Sequence, residues 1–195
     1  MLFLNATILR MEESAFLQPS KVLEAVGLSE GMSVADLGSG SGFFTRAAAR
    51  AVGPTGVVWA VDLQGDLLTR TKNLSLGEGL HNVEIIRGDI EAPKGSHLPE
   101  AKFDVVLLSN ILFSLEDKLA AVAETERLLC PGGRGVIIDW SDSFDGMGPH
   151  PDHVYTADAA RRLFEERGLI YSHNIPAGAY HWGFVVRKKG GSSAQ

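Results

Sequence analysis

The stretch SVADLGSGSGFFT, residues 33–45, places a carboxylate, Asp36, just ahead of Gly38, Gly40 and Gly42, with Ser39 among the glycines. Glycine lets a ligand come up against the backbone, and the opening turn of a helix offers N–H groups to an anion. The spacing is G-x-G-x-G. A dinucleotide fingerprint needs G-x-G-x-x-G, and Phe43 stands where its third glycine belongs. No lysine follows as a P-loop requires. Asp36 would repel a pyrophosphate arriving at this loop and suits a ligand with an ammonium or a sulfonium group. S-adenosylmethionine has both, together with a carboxylate that the loop amides could take. The competing reading of Asp36 is a hydrogen bond that only stabilises the loop.

Further polar residues follow the next apolar runs. Asp62 ends GVVWAVD and could accept from both ribose hydroxyls of a nucleoside, or cap a helix; Leu63 beside it could flank a base or join the core. Gly88, Asp89 and Ile90 follow NVEIIR, and Ser109 and Asn110 end FDVVLLSN. Candidate bases come late: His150 and His153 in DGMGPHPDHVYT, and Tyr180 and His181 beside Trp182 in AYHWGF. Two histidines spaced H-x-x-H are too few to hold a metal, and no metal is expected.

Such residues need a frame that brings them to one edge. Runs rich in Val, Ile and Leu (33–37, 56–62, 82–89, 103–110 and 132–140) alternate with helix-like stretches (42–53, 64–76, and a stripe Leu115, Leu119, Val122, Leu129). Near-continuous apolar strands alternating with helices predict a parallel sheet covered on both faces. Thr156 is placed to cap a further helix, with Asp158 in its first turn and Gly168 past its end. LIYSHNI and AYHWGFVVRK, joined by Pro176-Ala177-Gly178, predict an antiparallel pair. The expected fold is α/β, a Rossmann-like doubly wound seven-stranded sheet, mostly parallel with an antiparallel C-terminal hairpin strand. Each polar site then falls at a strand's carboxyl end, where such sheets bind ligands.

The chain has 195 residues, 45% hydrophobic and 22% charged, with a formal net charge of −6. That is one domain's worth of core, and the charge argues against a nucleic-acid footprint. The expected division is an arm over 1–18, able to cover a pocket as a lid, a domain over 19–187 and a disordered tail over 188–195. One cysteine, Cys130, excludes an internal disulfide; with no basic leader or long apolar run, the reading is cytoplasmic without a membrane span.

VADLGSGSG, Asp62, GDI at 88–90, FDVVLLSN and LLCPGGRGVIIDW together resemble the class I S-adenosylmethionine-dependent methyltransferases, over about residues 19–187, and their UbiE-like, type 11 group. The resemblance implies S-adenosyl-L-methionine as cofactor and S-adenosyl-L-homocysteine as product. It implies that Asp89 accepts from the adenine amino group while Ile90 covers the ring, and that Ser109 and Asn110 lie nearest the methyl group. The family's G-P-P and His-Arg stretch is altered here, with His150 for the second proline and Val154 for the arginine. Catalytic candidates are His150, His153 and Asn110. A small-molecule acceptor is expected; a protein or RNA methyltransferase and a non-catalytic cofactor-binding subunit are the alternatives. A lone cysteine disfavours arsenic, and the oligomeric state is left open.

Overall fold

The computed structural model describes residues 16–144 and 146–190. Most of the expected arm and the end of the expected tail lie outside the described residues. The elements in chain order are α1 (Pro19–Val26), β1 (Ser33–Leu37), α2 (Phe43–Val52), β2 (Val57–Asp62), α3 (Gly65–Gly77), β3 (Val83–Arg87) and β4 (Phe103–Ser109), then α4 (Lys118–Leu128), β5 (Leu129–Trp140), α5 (Ala157–Glu166), β6 (Ile170–Asn174) and β7 (His181–Arg187). Short 3₁₀ turns cover Leu112–Ser114 and Pro151–His153.

The seven strands form one sheet in the order β3-β2-β1-β4-β5-β7-β6. Neighbours are parallel from β3 through β5, and β7 runs antiparallel to both β5 and β6. Strand order reverses at β1, whose neighbours are β2 and β4. Alternate side chains along each strand serve two cores. Val34, Val105, Leu107, Val136 and Ile138 pack with α1 and α2, whereas Leu37, Val106, Leu108 and Ile137 pack with α4 and α5. No helix among the described residues is long and apolar enough to cross a membrane.

Local chemistry sets the element ends. Gly27 ends α1 in the left-handed region, φ 74°, returning its amide to Glu24. Thr156 caps α5 as expected, its hydroxyl accepting from the Ala159 amide at 3.3 Å. The stripe from Leu115 to Leu129 is not one helix. Asp117 caps α4 by accepting from the Ala120 amide at 3.0 Å, so the helix starts only at Lys118 and Leu119 is left 59% exposed. Leu129 opens β5 instead, because Pro131 disfavours helix at the residue before it and has no N–H to give. Cys130 therefore lies on a strand, half-buried, and not at a helix end.

Candidate functional site

β1 delivers Asp36 to the sheet's carboxyl edge on the face covered by α1 and α2. Its side chain is buried and accepts from the Thr45 hydroxyl at 2.6 Å, across the glycine loop. Burial, reinforced by the Asp62 carboxylate, pushes its pKa up to about 6, and the Thr45 bonds pull back. Asp36 thus braces the loop and also lines a cavity.

Several of the loop's amides are held by the protein itself. Gly38 and Ser39 both donate their amides to the Val61 carbonyl, Gly40 donates to Asp62 Oδ2 at 2.8 Å, and Gly42 donates to the Ser39 carbonyl. These four amides are engaged within the protein. The loop's use is close approach. Gly38, Gly40 and Gly42 all have positive φ, and only at Gly40 would a Cβ meet nothing within 4 Å. The Ser39 hydroxyl oxygen, by contrast, is buried without a partner.

Two cavities flank the loop. One, of about 410 Å³, is lined by Leu17, Pro19, Asp36, Ser39, Phe43 and Ser109 among others. The second, of about 310 Å³, is lined by Asp62, Leu63, Leu67, Asp89, Ile90 and Leu115 among others. Gly38, Gly40 and Asn110 border both, so the two make one cleft across the strand-order reversal. Of the cofactor-site residues expected from sequence, Gly42 alone lines neither; it starts α2 from φ 71°. Asp62 accepts from the Gly40 and Gln64 amides, one on each oxygen, and keeps further lone pairs. Asp89 accepts from the Glu91 amide through Oδ1. Asn110 sits at φ 55° with its Oδ1 buried and unpartnered, at the junction of the cavities.

His150 and His153 do not join this cleft. They stand on the exposed 3₁₀ turn, their rings 6.2 Å apart, with His150 Nδ1 3.3 Å from Asp152. Neither lines the two cavities that flank the glycine loop. No group of three or more metal-binding side chains occurs among the described residues. Sequence reasoning passed over Asp139. It is buried at the end of β5, accepts from the Phe113 and Trp140 amides at 3.1 and 2.8 Å, and is pushed up to about 6 by burial. It anchors the 3₁₀ turn that carries Ile111 and Ser114 into the cleft, and an acid inside the apolar run VIIDW was its only signal. Leu17 and Leu67 were missed too, since an apolar side chain lining a cleft looks no different in sequence from core.

The residues present fit S-adenosylmethionine: a buried carboxylate and an orphaned amide oxygen for its ammonium, an orphaned hydroxyl for its carboxylate, and Asp62 for its ribose. Comparison with known proteins agrees. Residues 28–175 match the family model described as a methyltransferase domain. The chain is 32% identical over 138 residues to a ubiquinone/menaquinone biosynthesis C-methyltransferase, UbiE, of Hahella chejuensis, covering 70% of this chain and 54% of that protein. It thus spans about half the length of the curated relatives it matches. The crystal structure of a SAM-dependent methyltransferase from Aquifex aeolicus superposes with a TM-score of 0.79 at 29% identity, covering 89% of this chain and 90% of that one. The cyclase SpnF shares the fold alone, at 16% identity and a TM-score of 0.74, covering 89% of this chain and 81% of that one.

Proposed function

Because the chain belongs to the methyltransferase domain family, we propose that it transfers a methyl group from S-adenosyl-L-methionine to a small-molecule acceptor. When bound, the cofactor supplies a methyl group already activated on its sulfonium. The protein's share is then alignment and exclusion of water. In this reading Asp36 and the Asn110 Oδ1 accept from the ammonium, and the Ser39 hydroxyl donates to the carboxylate. Asp62 accepts from the ribose hydroxyls, and Asp89, Ile90 and Leu63 surround the adenine in the second cavity. Ser109 and Asn110 face the reacting end. The observation that carries the reading is the pair of unspent polar atoms, Ser39 Oγ and Asn110 Oδ1, on a loop and strand end that share one cavity with Asp36.

The name of the Hahella relative, a quinone-biosynthesis C-methyltransferase, supports a small acceptor and carbon as the receiving atom. The test is isothermal titration with S-adenosylmethionine and S-adenosylhomocysteine. We expect micromolar binding of both, near −8 kcal/mol, lost in Asp62→Ala. Absence of heat and of thermal shift with both ligands would defeat the reading. Binding that falls steeply with salt for an added RNA would favour a nucleic-acid acceptor instead.

A further inference from the structure

One side of the second cavity is built by residues that no regular element holds. Asp89 and Ile90 line it, and they belong to a run from Gly88 to Lys102 that is neither helix nor strand. Lys94, His97 and Ala101 in that run stand in the left-handed region, at φ 56°, 58° and 51°. Residues with a side chain rarely adopt that conformation, and it persists where the surroundings dictate it.

The start of the run is folded tightly on itself. The Asp89 amide donates to the Gly95 carbonyl at 3.0 Å, and the Gly95 amide to the Ala92 carbonyl at 2.9 Å. A Cβ on Gly95 would fall 2.0 Å from the Asp89 carbonyl oxygen, and one on Gly88 2.4 Å from the Gly95 oxygen. Asp89 therefore stands where Gly95 puts it, and Gly95 is joined to Ser96.

What holds Ser96 is α4, a helix none of whose residues lines either cavity of the cleft. Its buried Glu124 accepts through Oε1 from the Ser96 amide at 3.3 Å and from the Ser96 hydroxyl. Arg127 donates to both carboxylate oxygens, at 2.7 and 2.8 Å, and to the Leu98 carbonyl at 2.9 Å. Burial alone would raise the Glu124 pKa, yet the hydrogen bonds from Arg127 and Ser96 hold its carboxyl below the ordinary value. α4 takes hold elsewhere along the run too. Its cap, Asp117, donates its amide to the Glu91 carboxylate, and the Arg127 and Leu128 carbonyls accept from the Ala101 and Lys102 amides at 2.9 and 3.0 Å. An ion pair buried here adds little stability over apolar packing; its contacts with the loop are what it supplies.

We propose that Glu124, together with Arg127, is a positioning residue for base recognition. Acting through Ser96 and Gly95, the pair sets Asp89 where its carboxylate accepts from an exocyclic amino group, and so sets the preference for adenine. This role rests on the reading that the second cavity takes the cofactor's adenine.

Equilibrium dialysis of the full chain against adenosine and purine riboside tests it, because the two differ only in the exocyclic amino group. We expect the unaltered protein to bind adenosine roughly tenfold tighter, the worth of one hydrogen bond to a charged acceptor. Glu124→Ala should bring the two nucleosides to within about twofold of each other, that hydrogen bond being lost. Glu124→Gln keeps an acceptor for Ser96 and should keep most of the preference, which a merely destabilising change would not separate from the alanine variant. Glu124→Met combined with Arg127→Met leaves no ion buried unpaired, and should show the same loss of preference if Glu124→Ala does not fold. A preference undiminished in whichever of these two variants folds overturns the positioning role. Equal binding of both nucleosides by the unaltered protein, or binding of neither, overturns instead the adenine reading, and the role of Glu124 falls with it.

Discussion

Asp36 is held where a carboxylate is expensive. Its folded pKa, about 6, lies above the ordinary value of 3.8, so the fold binds its proton more readily than the unfolded chain does between those values. Below about pH 4 both states are protonated and no cost remains; above pH 6 both are ionised and the folded state carries the whole of it. At 1.36 kcal/mol per pKa unit that is roughly 3 kcal/mol. Asp36→Asn should therefore raise stability at pH 8, and much less at pH 4, in urea unfolding followed at the two pH values. A cation seated beside Asp36 reverses the balance. S-adenosylmethionine affinity should rise with pH through about 6, with a proton released on binding, and fall in the Asn variant. Titration in two buffers of different ionisation enthalpy reads that proton. A variant that gains stability and keeps its affinity would leave Asp36 as a loop brace only. The carboxylate was legible from its place before the glycines. Its partner was not, because Thr45 meets it only after α2 has folded back over β1.

At the scale of the loop between β1 and α2, the glycines are not equivalent. A Cβ on Gly38 would come 2.7 Å from Ile111 Cγ1, and one on Gly42 would run into the side chain of Thr71. Gly40 at φ 52° faces open space. Gly40→Ala thus meets only the strain of a left-handed residue, about 1–2 kcal/mol, and should remain folded. Its new methyl group would occupy the space the cofactor needs. We expect a modest loss in thermal stability and at least a tenfold loss in S-adenosylhomocysteine affinity by titration; unchanged affinity would place the ligand away from Gly40. The Gly38 and Gly42 variants should lose far more stability, which makes them poor probes of binding. Spacing alone identified the loop and the strand that feeds it. It could not rank the glycines, because the contacts at Gly38 and Gly42 come from the turn after β4 and from α3. Nor could it place the start of α4, since Leu115 and Leu119 keep helical spacing across the Asp117 cap.

The whole sheet keeps the cleft apart from the far ends of its strands, and a single measurement can report both. Strand order reverses at β1, so the ends of β1, β2, β3 and β4 gather around the cleft, while the ends of β5 and β7 lie beside it. The alternation of strands and helices made a mostly parallel sheet readable in advance, but not its strand order. His181 and Trp182 alternate along β7, and sequence offers no means to choose which of them joins the core. Trp182 does, stacking on Phe184 and donating its indole N–H to the Tyr155 carbonyl, while His181 turns to the opposite face beside Trp140. At the far, amino-terminal edge lies an open groove of about 500 Å³ bordered by Ala49, Pro54 and Asn82, remote from the cleft. Amide hydrogen exchange should divide along these lines. S-adenosylhomocysteine should slow exchange over 38–43, 62–64, 88–91 and 109–115, because a ligand there removes openings of the strand ends and the loops that follow them. Residues 49–56 and 79–82 around the groove serve as the internal reference and should not respond. Protection that spreads evenly over cleft and groove would show general stiffening of the sheet, and would remove the cleft as the ligand's place.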